Sequence, residues 1–473
     1  MSCILERRYK SKLNMATINF LEEIHDELST LAQHNVNFDI TKVKEIYGNL
    51  NAKWDSLDTF SLEKYGTPHD CLYLLSLCYL TVGNIYEPIS LYCSIVTIKI
   101  LLNNLNDYNI FTCYDLKPLR QRLNDIYAHI LDSEDRTPIQ KFILNELKSC
   151  LQTYELIGHK LNSIDKHLNS ILVELMQVRK DLVFLAFANM KSFLPNCFVL
   201  KQPIHKITQD SYNEKLAKIN NKIKLLEKQV DDNGNFTSLE DNKVYKSGQT
   251  ILNGMLANCK NLYGDLNPME FGSKLQKIFE RSLFLKINLE TILVTGRTTL
   301  KETDLFKFHK ELMEIDNELS KINENNNFKG KTIILFILRR SHAVLNKLLE
   351  SSEPVSQNLK PIYNQLSTLC RYLFTMKRMG GVEKLDDLKP IELKLNNLLN
   401  GRVNNKFQDS DGNIPEGQGS LNALLQECFE LLRLLKIDFD GRVRDSDQVE
   451  SMSKDVGKFL VISDEEKFGK GQR

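Results

Sequence analysis

One phrase is written twice in this chain. Gly248-Gln249, Leu252-Asn253, Leu256 and Cys259 recur at the same spacing as Gly417-Gln418, Leu421-Asn422, Leu425 and Cys428. Each copy leaves an Asp/Asn/Gly loop and enters an apolar stripe of helical period, so the duplicated phrase implies a duplicated helical unit. The stripe is fullest in the second copy, where Leu421, Leu424, Leu425, Cys428, Leu431, Leu432 and Leu435 line one face. That is the pattern of a helix packed on one side against two neighbours. Upstream of it, Ile362, Leu366, Leu369, Leu373 and Met376 form one stripe, and Leu388, Ile391, Leu395, Leu398 and Leu399 form another. Together they predict a three-helix bundle.

A related plan is legible nearer the N-terminus. Asp115-Leu116-Lys117-Pro118 returns as Asp387-Leu388-Lys389-Pro390, Pro88-Ile89 precedes the first as Pro361-Ile362 precedes the second, and Leu123-Asn124 aligns with Leu395-Asn396. Pro138, Leu144-Asn145 and Leu147 then align with Pro415, Leu421-Asn422 and Leu424. Each proline is expected at a helix start, where its missing N–H does no harm. Related units are therefore expected near 85–157, 162–263 and 358–437. Helical stretches at 20–31, 43–57, 283–293, 305–322 and 333–349 have apolar faces too narrow to stand alone and are expected to pack onto the units. No run of alternating strands is present. The expected fold is all-α: an elongated array of repeated three-helix bundle units with a disordered C-terminal tail. Its divisions are 1–16 (flexible N-terminus), 17–157 (first copy), 158–268 (second), 269–352 (connecting helices), 353–437 (third) and 438–473 (polar tail).

Charge excludes some functions. Sixty-two basic residues balance 61 acidic ones, which leaves no field to attract a polyphosphate, so nucleic acid is not an expected partner. The 10 cysteines include no Cys-x-x-Cys pair and read as buried thiols of a reducing compartment. Arg7, Arg8, Lys10 and Lys12 have no apolar segment behind them, so no secretory signal is read. The expected location is the cytoplasm, with the nucleus as a second compartment. The apolar runs 72–82 and 89–102 are each too short to cross a bilayer and predict a buried helix pair without stable membrane insertion.

The C-terminal residues also carry a resemblance. Leu359-Lys360-Pro361-Ile362, Gly380-Gly381-Val382, Asp411-Gly412-Asn413-Ile414-Pro415-Glu416-Gly417-Gln418, Leu421-Asn422 and Cys428 resemble a fungal protein family whose repeated helical domain is of unknown function. A longer-looped version surrounds Asp232-Asn233-Gly234-Asn235-Phe236 and Gly248-Gln249. The 85–157 copy departs from the pattern, with Gln140-Lys141 in place of Gly-Gln. The resemblance implies an intracellular fungal protein without an established catalytic activity.

No constellation specifies chemistry. Gln249 with Asn253, and Gln418 with Asn422, each lie one helical turn apart. They form either the floor of a peptide-binding groove or caps on backbone groups of the preceding loop. Loops 409–413 and 231–235 invite a calcium reading. Placing Gly412 at the sixth position of a calcium loop, however, puts Phe407 first and Gln418 last, where carboxylates are required. Gly330-Lys331-Thr332 ends like a phosphate-binding loop, but Asn325 stands where the first glycine is needed. His129, His159, His167 and His309 read as surface or half-buried residues, with no zinc spacing among the histidines. No catalytic, cofactor-binding or metal residue is assigned, and no cofactor is expected.

The tail holds the sharpest candidate. Phe459-Leu460-Val461-Ile462 precedes Ser463-Asp464-Glu465-Glu466, an apolar core with an acidic flank that can add as a strand to a sheet edge. It looks like the motifs that bind small ubiquitin-like modifiers. Ser463 is placed like an acidophilic kinase site. The competing reading docks the four apolar residues back onto the helical body. The expected function is a non-enzymatic scaffold or adaptor for protein partners. A membrane-associated or lipid-handling helical protein is the alternative, and an enzyme with an unrecognised site the second.

Overall fold

The computed structural model describes residues 15–33, 40–56, 67–82, 87–108, 111, 113–131, 136–190, 209–238, 243–266, 273–296, 300–323, 330–352, 354–379, 381–382, 384–409 and 411–443. Among them the fold is all-α, with 15 α-helices and only isolated β-bridges, such as Val230 with Phe236 and Val403 with Lys406. Helices α1 (Met15–Gln33), α2 (Ile40–Lys53) and α3 (Thr67–Thr81) lead into a first trio, α4 (Tyr92–Tyr108), α5 (Cys113–Leu131) and α6 (Pro138–Asn162). The second trio is α7 (Asn169–Met190), α8 (Gln209–Glu227) and α9 (Gln249–Leu266). Three connecting helices follow, α10 (Ser273–Thr291), α11 (Leu305–Asn323) and α12 (Lys331–Glu350). The third trio is α13 (Lys360–Arg378), α14 (Lys389–Asn400) and α15 (Gln418–Val443).

In each trio the first and third helices pack together most closely, and a sulfur marks the register. Cys259 Sγ donates to the Leu175 carbonyl, Cys428 Sγ to that of Leu366 and Cys150 Sγ to that of Ile95, at 3.7, 3.5 and 3.8 Å. These bonds pair Cys150 with Cys428, and therefore Gln140 with Gln418. The alignment of Leu144-Asn145 with Leu421-Asn422 is thus one residue out of step, because it followed letters rather than the buried face. The helix starts differ as well. Pro138, Pro361 and Pro390 sit in first turns, whereas Pro118 lies inside α5, because that helix already begins at Cys113. Thr137 and Gln140 form a capping box at α6, so the first trio's glutamine caps its own helix.

The core falls into two clusters. One runs from Leu21 to Leu349 and joins the first two trios with the helices around them. The other lies within the third trio and takes in Val294 from the π-helical turn Ile292–Gly296 that extends α10. At the centre is α12, which packs on α4, α9, α10, α11 and α15. Its C-terminal half is buried nearly all round, Lys347 and Glu350 included. The segment Pro88–Asp107 is long and apolar enough to cross a bilayer, yet 83% of that window is buried inside the protein, as in a core helix.

Candidate functional site

The duplicated phrase builds the same device twice. Gln418 Oε1 accepts from the Phe407 N–H at 2.8 Å, and its Nε2 donates to the carbonyls of Phe407 and Pro415, both at 2.9 Å. Gln249 does the same for Phe236, accepting from its N–H at 2.7 Å and donating to the Phe236 and Tyr245 carbonyls at 3.0 and 2.7 Å. The amides are consumed by loop backbone, which buries Phe236 and Phe407 under the third helix of each trio. Asn253 donates to the Gly234 carbonyl, and Asn422 accepts from Arg402. Glycine is required beside each clamp: Gly248 and Gly417 have φ of +89° and +100°, and a Cβ there would meet Ile164 Cα at 2.9 Å and Val355 Cα at 2.7 Å.

The loops themselves are Asx turns. Asp231 Oδ1 accepts from Asn233 and Asn235 N–H, and Asp409 Oδ1 accepts from Asp411 and Asn413 N–H. Carboxylates turned onto their own backbone are spent as ligands. Gly330-Lys331-Thr332 opens α12, and Asp265 fills the N-terminus there by accepting from Gly330 (2.5 Å), Thr332 (2.9 Å) and Ile333 (3.3 Å). A carboxylate of the chain thus occupies the place where a phosphate would sit.

The densest ionisable cluster lies where α10, α12, α13 and α15 meet. Glu427, 1% exposed, accepts from Arg340 Nη2 at 3.0 Å and from Lys347 Nζ at 2.5 Å. Glu290 accepts from Arg340 Nε at 3.2 Å and Lys286 Nζ at 3.1 Å, with Lys377 at 3.9 Å. Burial alone would raise the Glu290 carboxyl, but Lys286, Lys377 and Arg340 together hold it well below the usual carboxylate range. Burial brings the Lys286 ammonium down to about 8 against the pull of Glu290. For Arg340, burial is outweighed by Glu427, Glu290 and Glu430, which keep it charged. Every carboxylate here already has a cation, so the cluster joins the third trio to α12 and α10.

Two histidines reach the interior. His309, expected at the surface or half-buried, is 4% exposed and stacks on Tyr73 with ring centroids 3.8 Å apart. Burial lowers its pKa to about 3, so it stays neutral. The correction arises because α11 packs on both α3 and α12, which covers a face that looks one-sided in sequence. His342 is fully buried, with Nε2 3.0 Å from Asp316 Oδ2. Cys71, Cys78, Cys93, Cys150, Cys259, Cys370 and Cys428 are buried free thiols, and burial pushes those of Cys71, Cys78 and Cys259 up to about 12. Among the described residues no group of three or more His, Cys, Asp or Glu side chains is placed to hold a metal.

Sequence reasoning missed Arg340, Lys347, Glu290 and Glu427. Their only signal was polar letters within otherwise apolar stripes. Phe459, Leu460, Val461, Ile462, Ser463, Asp464, Glu465 and Glu466 lie outside the described residues.

A family profile described as "Protein of unknown function (DUF2408)" matches residues 161–302 and 352–460. The chain is 36% identical, over 502 aligned residues covering 91% of each protein, to the Saccharomyces cerevisiae protein named "Cu(2+) suppressing and bleomycin sensitive protein 1". It is 33% identical over 382 residues to a Schizosaccharomyces pombe protein named as a CUB1 family protein, covering 78% of this chain and 79% of that one. No solved structure matches.

Proposed function

This chain belongs to that fungal family of unknown function, and from that premise we propose that it is a non-enzymatic helical scaffold that binds protein partners. The observation carrying the reading is the exposure of large apolar side chains in the third trio. Tyr372, Met379, Leu393 and Ile414 stand 52%, 63%, 63% and 50% exposed, around a core of buried leucines. Large apolar side chains on a rigid frame are what a protein interface uses as anchors. The clamped loops support the same role, because a loop tied at Phe407 presents its outward residues in one conformation and loses little entropy on binding. The Saccharomyces relative's name speaks of suppression and sensitivity and leaves the molecular role open. The segment 459–466 adds a second contact, with Ser463 as the place where phosphorylation would deepen its acidic flank.

The test is affinity capture with the full-length chain against a double variant, Tyr372→Ser with Leu393→Ser. Loss of specific partners at unchanged thermal midpoint supports the scaffold. An identical partner set from both proteins removes this surface from the proposal, and turnover of a substrate by the purified chain removes the non-enzymatic reading.

A further inference from the structure

In each trio the shared thiol donates to a backbone carbonyl of the first helix: Cys150 to Ile95, Cys259 to Leu175 and Cys428 to Leu366. The carbonyl of a helical residue faces the residue one turn further on, so the side chain there stands beside the sulfur. In the three trios that residue is Lys99, Arg179 and Cys370. Lys99 turns to Glu146 at 2.6 Å and Arg179 to Asn258 Oδ1 at 3.0 Å. The third trio instead sets a second sulfur in place. Cys370 and Cys428 are buried free thiols of one apolar cluster, Cys370 standing one turn beyond the Leu366 carbonyl to which Cys428 Sγ donates at 3.5 Å, and their helices α13 and α15 are the most extensively packed pair in the unit.

We infer that Cys370 and Cys428 form an oxidative modification site that closes to an intramolecular disulfide in the presence of a two-electron thiol oxidant of the peroxide class. One sulfur, as thiolate, takes a peroxide oxygen to give a sulfenic acid and water, and the second sulfur displaces that hydroxyl as another water. In sum, two S–H bonds and the O–O bond break, one S–S bond forms, and two electrons pass to the peroxide. The surroundings favour this product over a cation held by two thiolates. Leu366, Leu373, Leu424 and Leu431 are all buried in the same cluster, and a neutral disulfide places no charge among them. The neighbouring Cys370 thiol, and after it burial, raises the Cys428 thiol well above its ordinary value. Reaction therefore waits on local opening of α13 from α15, and its rate follows that opening. Once formed, the bond ties the first and third helices of the trio and constrains the unfolded chain.

The experiment exposes the full-length wild-type protein to hydrogen peroxide, blocks remaining thiols with iodoacetamide in denaturant, and maps peptides without reductant. The expected result is a Cys370 peptide joined to the Cys428 peptide, reversed by dithiothreitol, with Cys150 and Cys259 recovered alkylated. A higher thermal midpoint for the oxidised protein, abolished by Cys370→Ser and kept by Cys259→Ser, accompanies it. Recovery of Cys370 and Cys428 in alkylated form, or linkage of Cys428 to any other cysteine, overturns the inference. The mapping uses the wild-type chain, so its outcome does not depend on whether a serine variant folds.

Discussion

At the scale of single residues, Gln418 joins two pieces of backbone that no helix serves. Gln418→Ala leaves the Phe407 N–H and carbonyl without their partner and is expected to cost about 1–3 kcal/mol in chemical denaturation. Gly417→Ala is expected to cost a similar amount, about 1–3 kcal/mol, through positive φ and the approach to Val355. If both variants melt like the wild type, the clamp is not formed. His309 sets a pH dependence of definite sign. Its folded pKa is depressed from 6.5 to about 3 by burial. Its share of stability is therefore complete above about 6.5 and is lost as pH falls toward 3, because the unfolded chain takes a proton that the folded one refuses. By pH 5 the loss is about 2 kcal/mol. His309→Phe keeps the stacking on Tyr73 and should shrink the difference in unfolding free energy between pH 7 and pH 5 by about that amount. An unchanged difference places the acid sensitivity elsewhere. These residues were unevenly legible. The Gly-Gln phrase announced a loop-to-helix junction by its repetition, whereas His309 gave no sign of burial, because the helices covering it come from distant segments.

At the scale of helices, α12 and α15 show how apolar periodicity is read and where it stops. The α15 stripe from Leu421 to Leu435 lies in the third-trio core, as its spacing demands. Leu424→Asp is expected to cost several kcal/mol, on the order of 2–5, by burying an unpaired charge. In α12 the stripe looked too narrow because Arg340, Asn346, Lys347 and Glu350 interrupt it, yet all but Arg340 are among its most covered residues. Arg340 itself is only 11% exposed in its side chain. Glu427→Ala should cost about 3–5 kcal/mol, since it strands Lys347 in the interior and leaves Arg340 with Glu290 as its main carboxylate partner. Replacing Glu427 and Lys347 together should cost less than the sum of the single changes. Additivity of the two would show that the pair does not interact.

At the scale of the molecule, the third trio has its own core and is joined to the rest by the π-helical turn, the charge cluster and the packing of α15 on α7 and α12. Hydrogen exchange on the Glu427→Ala variant is expected to speed first in α13, α14 and α15, with α4 and α9 retaining protection. Uniform acceleration throughout would mean that the two cores open as one unit. What the sequence by itself determined was the helices, their apolar stripes and the recurring loop-to-helix phrase. Each of these rests on residues a few positions apart and on the backbone needs of glycine and proline. Only the tertiary structure decided the interior fate of the charged and imidazole side chains and the placing of Cys370 and Cys428 in one buried cluster. Burial of that kind depends on which distant segments arrive to cover a face, and Glu290, Arg340 and Glu427 acquire their meaning only when three helices far apart in the chain converge.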